Sequence, residues 1–183
     1  LVLDIGGSHV TSALVDLDKR AVINPSLQRN HVDPDLSADK LLHAWVNAEK
    51  EAMGKNPIQH IGIAMPGPFE YDTGVSRLQH KFASLYGMNV GTALQKKLKL
   101  QVPIYFGNDA SLFALGEWWA GAAKGFKRVI GVTLGTGLGG GFVANGKVFY
   151  AGENVPKDGG IWDLPYLNGI AEESFDSIVP VRQ

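Results

Sequence analysis

The sequence predicts an α/β protein, and two observations carry that prediction. Short β-favouring apolar runs alternate with segments of helical apolar spacing up to about residue 124. A β-turn-β-turn-β plan that opens the chain then restarts at Val129.

The elements follow in order. "LVLDIGG" is a strand that ends in a Gly-Gly turn, "VTSALVDL" a second strand, "DK" a turn and "AVI" a third short strand. A loop carrying Pro25 and Pro34 leads to Ser37, the expected N-cap of a helix over 38–53. Leu41, Leu42, Trp45, Ala48 and Ala52 share one face of it, and "GKNP" stops it. "IQHIGIAMPG" is a strand running into a Pro-Gly turn. Asn89 caps a short helix with Val90, Leu94 and Leu98 at four-residue spacing. "VPIYFG" is a further strand, and "NDASLFALGEWWAGAA" a helix expected to bury Leu112, Leu115 and Trp119. "VIGVTLGTGLGGGFVANGKVFY" then repeats the plan of "LVLDIGGSHVTSALVDLDKRAV". Two facing copies would make a cleft with backbone amides on either side.

Composition narrows the function classes. The 183 residues are 45% hydrophobic and 19% charged, enough apolar content for a packed core. A net charge of −1 gives no electrostatic reason for nucleic-acid binding. With no cysteine, disulfides, thiol nucleophiles and cysteine-based zinc sites are excluded. Apolar runs are far too short to span a bilayer, and a cytoplasmic protein is expected. An opening Leu1 rather than Met leads us to expect that the natural N-terminus lies upstream.

Three motif patterns compete for "VTLGTGLGGGFVANGKV". Gly135, Gly137 and Gly140 satisfy G-x-G-x-x-G, but a dinucleotide fold needs a helix next, and Asn145-Gly146 signals a hairpin instead. Gly141 to Lys147 matches G-x-x-x-x-G-K, yet Val148 stands where a magnesium-binding Ser or Thr belongs. The surviving functional reading is a hairpin phosphate loop, with amides and the Thr136 hydroxyl donating to phosphate oxygens; the alternative is a tight hairpin without ligand. "DIGGSHV" offers a second such turn, where Asp4 could order the hydration shell of Mg²⁺ or serve as a turn residue. In "FGNDAS", Asn108 and Asp109 follow a strand and open a helix. They fit N-capping, or a general base at the strand's C-terminal end beside a hydrogen-bonding amide.

"DIGGSHV", "FGNDAS" and "VTLGTGLGGG", with "IGIAMPGP" and the helix carrying Glu117, resemble the ROK family of sugar kinases and sugar-responsive regulators, within the actin/hexokinase ATPase superfamily. The resemblance covers residues 1 to 150. It implies an RNase-H-like (actin-like ATPase) domain over 1–124 and the beginning of a second, similar domain over 125–183. It implies ATP and Mg²⁺ as cofactors, with Asp4, Gly6, Gly7 and Ser8 in the first phosphate motif. Gly135, Thr136, Gly137, Gly139 and Gly140 would form the second. Asp109 would be the catalytic base, Asn108 and Gly67 would touch the sugar, and Asp4 would hold Mg²⁺ through water. Homodimers or larger assemblies are implied as well.

The tail departs from the family pattern. Members carry a Gly-Glu-x-Gly-His segment whose His joins three cysteines on a structural zinc. Here "GGIWD" puts Gly160 at the Glu position and Asp163 at the His position, and no zinc site is expected. Glu172 in "NGIAEES" matches another sugar-contacting Glu, and Glu153 is read as an exposed loop acid. Lys81 and Asn89 are read as a surface residue and a helix cap that could also border the sugar pocket. Family members continue well beyond "SIVPVRQ", so a truncated chain is expected. The function expected is ATP- and Mg²⁺-dependent phosphorylation of a sugar hydroxyl. The alternative is a non-catalytic sugar-sensing domain of a ROK-type regulator.

Overall fold

The structure is a computed structural model that describes residues 1–135, 137–156, 159–167 and 169–171. It forms two compact units, Leu1–Asp109 and a second that begins at Ala110.

The first unit is built on a five-stranded sheet. Its order is β5 (Gln28–His31), β2 (His9–Ala13), β1 (Val2–Ile5), β6 (Ile61–Met65) and β9 (Ile104–Asn108). β1 runs antiparallel to β2 and parallel to β6, and β6 runs parallel to β9. Period-two alternation sends Leu3, Ile5, Val10, Ile61, Ile63 and Met65 to one face, where all are buried. α1 (Ala38–Met53) closes that face with Leu41, Leu42, Trp45, Ala48 and Ala52, the stripe that the sequence predicts. Each Leu, Ile, Val or Met side chain among these, fully buried, contributes about 1.5–3 kcal/mol. Ser12 Oγ donates to Ala48 O at 2.8 Å and fixes α1 on β2. Gly54, at φ +55°, ends α1. Ser37 occupies the N-cap position but its side chain makes no capping bond. α2 (Val90–Leu98) does have its cap, since Asn89 Oδ1 accepts from Thr92 N at 2.9 Å. Trp45 of α1 and Phe82 meet edge to face at 5.5 Å in the core.

The third strand of this sheet differs from the sequence expectation. "AVI" forms only β4 (Ala21–Val22), paired with β3 (Val15–Asp16) in a separate two-stranded ribbon. The sheet is instead extended by β5, "QRNH", within the stretch read as a loop. β5 lies at the sheet edge with alternating half-buried and exposed residues, so no apolar run marks it. A second short ribbon, β7 (Phe69–Glu70) with β8 (Val75–Ser76), follows the Pro-Gly turn.

The second unit contains α3 (Asp109–Trp119) from Ala110 onward and a sheet of β10 (Arg128–Leu134), β11 (Leu138–Ala144) and β12 (Lys147–Phe149). β11 turns into β12 at Asn145 (φ +49°) and Gly146 (φ +77°), the two positive dihedrals of the hairpin turn that Asn-Gly predicts. A strand therefore follows the glycine run, which is the expectation that excluded a dinucleotide fold. The buried face of α3 is Ala110, Ser111 and Ala114, not the predicted Leu112, Leu115 and Trp119. Its neighbours explain the reversal. A Cβ on Gly131 would lie 2.6 Å from Ala114 Cβ, and one on Gly141 would lie 2.7 Å from Ala110 O. Helix and hairpin approach so closely that only small residues fit between them. A short ribbon of β13 (Pro165–Tyr166) and β14 (Gly169–Ile170) completes the described part. Among the described residues no helix is long and apolar enough to cross a membrane.

Candidate active site

The face of the first sheet opposite α1 carries the polar residues. Register pairs Asp4 with Thr11 and Thr11 with Arg29, so these three form one cross-strand row. On the other side Asp4 pairs with Ala64, and Ala64 with Gly107, two residues before Asp109. One step toward the β1–β2 turn lie His9 and His31, directly opposite each other with rings 5.4 Å apart and nearly perpendicular.

Asp4 is exposed on this face, and its pKa is raised. The largest cause is partial desolvation by the surrounding strands; the negative charge of Asp109 adds to it, and Arg29 opposes it. The turn beside it is preorganised. Gly6 N donates to His9 O at 2.9 Å, Ser8 O accepts from Val32 N at 2.9 Å, and Ser8 Oγ lies 3.0 Å from His9 Nδ1. The Gly7 and Ser8 amides donate to no acceptor among the described residues. Two adjacent N–H groups are thus left without an internal acceptor, as an anion-binding turn requires, while the Gly6 amide is already used within the hairpin.

At the C-terminal end of β9, Asn108 Nδ2 donates to Asp109 Oδ1 at 3.1 Å and approaches the Tyr71 hydroxyl at 3.4 Å. Tyr71 in turn donates to Met65 O at 3.1 Å, at the end of β6. A Cβ on Gly67 would stand 3.5 Å from the same hydroxyl. Gly67, Asn108 and Asp109 are therefore assembled around Tyr71, a residue that the sequence reading missed. Its signal was a lone aromatic with a polar tip shortly after a Pro-Gly turn, which is too common to single out. Asn89, considered as a substrate contact, is engaged as the α2 cap, with Nδ2 donating to Thr73 O at 2.7 Å.

In the second unit, Gly135 N donates to Gly137 O at 3.1 Å, closing the turn between β10 and β11. The glycines of this run have different tasks. A Cβ on Gly135 would meet nothing within 4 Å. One on Gly139 would collide with Thr133 Oγ1 and Ala110, and one on Gly140 would lie 2.7 Å from Ile161 Cγ2. Gly139, Gly140 and Gly141 thus permit packing, while Gly135 borders open space. Ile161 belongs to the "GGIWD" segment, in which Gly160 is buried and Asp163 exposed. Thr136 and Glu172 lie outside the described residues. Among the described residues no group of three or more His, Asp or Glu side chains could hold a metal ion.

The family model of the ROK family matches residues 1–158. The chain belongs to the ROK family. A glucokinase of Halalkalibacterium halodurans is 30% identical over 161 residues, which are 81% of this chain and 44% of that protein. An N-acetyl-D-glucosamine kinase of Pectobacterium carotovorum is 32% identical over 177 residues, 93% of this chain and 49% of that protein. This ROK chain therefore spans about half the length of the curated relatives it matches. Its fold is that of a ROK glucokinase from Streptomyces griseus solved with glucose and AMPPNP. The TM-score is 0.74 at 23% identity, covering 90% of this chain and 50% of that one. The expected actin-like ATPase fold is thereby met.

Proposed function

We propose that this ROK chain carries the acceptor and donor residues of an ATP-dependent sugar kinase, with a hexose or N-acetylhexosamine as acceptor. The observation that carries the reading is the assembly of Asn108, Asp109, Tyr71 and Gly67 at the end of β6 and β9, with Asp109 acting electrostatically on Asp4. The similarity to a glucokinase and an N-acetyl-D-glucosamine kinase supports a sugar as the substrate class.

In this reading Asp109 accepts the proton of the attacking sugar hydroxyl. The hydroxyl oxygen bonds to the γ-phosphorus, the bond from phosphorus to the β-phosphate oxygen breaks, and sugar phosphate and ADP leave. Asn108, oriented by Tyr71 and Asp109, hydrogen-bonds neighbouring sugar hydroxyls, and Gly67 leaves room for the ring. The unpaired Gly7 and Ser8 amides hold phosphate oxygens, and Gly6 shapes their turn. Gly135, Thr136, Gly137, Gly139 and Gly140 form the second phosphate motif. The setting of Asp4 fits Mg²⁺ held through water, because a cation there would favour the charged carboxylate that desolvation and the Asp109 charge disfavour. The domain division proposed for the function is 1–124 and 125–183, a boundary at the end of the α3 region, whereas the compact units of the structure divide between Asp109 and Ala110.

Asp109→Asn in the full-length protein tests the reading. Turnover should fall at least about 100-fold, while calorimetric sugar affinity stays within a few-fold. Wild-type turnover in the variant would overturn the assignment. Sugar and ATP binding without turnover in the wild type would favour the sensor reading instead.

A further inference from the structure

On the open face of the first sheet, Arg29 stands at the far end of the row Asp4–Thr11–Arg29, two strands from Asp4 and so about 10 Å away between Cα atoms. Asp109 lies beyond β6, on the other side of Asp4. Asp4 thus has the candidate base to one side and an arginine to the other, and both charges act on its carboxyl with opposite sign.

Arg29 has no structural employment. Its residue is exposed, and among the described residues its guanidinium makes no hydrogen bond or ion pair. A surface arginine of that kind is ordinarily a solubility feature. Here, however, the end of β5 is pinned beside the Gly7–Ser8 turn: Val32 N, just after the strand, donates to Ser8 O, and His31 stacks edge-on against His9, which itself meets Ser8 Oγ. The strand that carries Arg29 is thereby locked to the turn bearing the unpaired Gly7 and Ser8 amides.

Phosphoryl transfer needs attacking and leaving oxygens roughly in line, with negative charge growing on the leaving side. If the hydroxyl arrives from Asp109 and the transferred phosphorus sits beside Asp4 and the Gly7–Ser8 amides, the leaving oxygen points toward β5. We propose that Arg29 is a catalytic residue that contacts the leaving phosphate group and neutralises the charge developing on it. This rests on the kinase reading above for its reaction. The phosphorus–oxygen bond that breaks leaves its electron pair on the terminal oxygen of the departing diphosphate. Arg29 donates hydrogen bonds to that group while the hydroxyl proton passes to Asp109. A guanidinium suits this task because it stays charged and offers a planar fork of donors to phosphate oxygens. His9 and His31 flank the path without being required for it.

The test compares wild-type full-length protein with Arg29→Ala and Arg29→Lys, each checked for an unchanged melting temperature. Two measurements are made: affinity for ADP and for pyrophosphate by calorimetry, and kcat and KM for ATP and sugar. Arg29→Ala should lower kcat about 100-fold, weaken ADP and pyrophosphate at least about 10-fold, and leave the sugar KM within about 2-fold. Arg29→Lys should recover part of both losses. Unchanged ADP and pyrophosphate affinity in Arg29→Ala would overturn the proposal, whether or not the wild type turns over. Weakened binding in a protein with no turnover on any sugar would sink the kinase reading and leave Arg29 as a diphosphate contact.

Discussion

Partial desolvation raises the pKa of Asp4, and the charge of Asp109, from across β6, raises it further, so the candidate base acts on the candidate magnesium-ordering acid. Neutralising Asp109 should therefore lower the pKa of Asp4 in the ligand-free protein. Carboxyl carbon NMR titration of wild type and Asp109→Asn measures this directly. An unmoved Asp4 titration would mean that the two carboxylates do not sense each other.

Tyr71 ties the end of β6 to Asn108. Tyr71→Phe removes the hydroxyl that bonds Met65 O and meets Asn108 Nδ2. The expected cost is about 1 kcal/mol of stability and about a 10-fold loss in kcat/KM for sugar, with ATP affinity unchanged. Chemical denaturation and steady-state kinetics on the variant check both numbers. A loss confined to ATP would contradict the position given to this residue.

The glycine run separates into packing and ligand positions. Gly141→Ala pushes a methyl into Ala110 O and Ser111 Cα, each 2.7 Å from the new Cβ, and should destabilise by about 1–3 kcal/mol. Gly135→Ala meets nothing and should leave stability within about 0.5 kcal/mol while weakening nucleotide binding. Denaturation midpoints and nucleotide titrations distinguish the two variants. Equal destabilisation by both would contradict the division of roles.

Glu49 is fully buried in α1, among the described residues neither of its carboxylate oxygens has a hydrogen-bond partner, and burial pushes its pKa up to about 8. Between about pH 4.5 and 8 the folded chain keeps a proton that the unfolded chain has released. Stability must then fall as pH rises through that window. At about 1.4 kcal/mol per pKa unit the loss is on the order of a few kcal/mol. Glu49→Gln should remove the decline and be the more stable protein above pH 8. Denaturation curves at pH 5 and pH 8.5 decide it, and a parallel pH dependence in both proteins would refute it.

Much of this was legible in the sequence because the signals were periodic or chemical. The α1 stripe, the Asn89 cap and the Asn145-Gly146 turn each follow from one local rule, and the structure obeys all three. β5 was missed because an edge strand of "QRNH" has no apolar face to announce it, and with it went Arg29. The buried face of α3 was misread because its partner is a glycine surface; bulky Leu112 and Trp119 suggested a core that the close approach of Gly131 and Gly141 reserves for alanine and serine. Tyr71 was invisible because its role depends on two carbonyl and amide groups that only the fold brings to it.

The central claim is tested most directly by ADP release from ATP–Mg²⁺ by the full-length protein across a panel of hexoses and N-acetylhexosamines. The account predicts turnover on at least one sugar, with the phosphate recovered on that sugar by mass spectrometry. A folded protein that binds ATP yet phosphorylates none of them would contradict it.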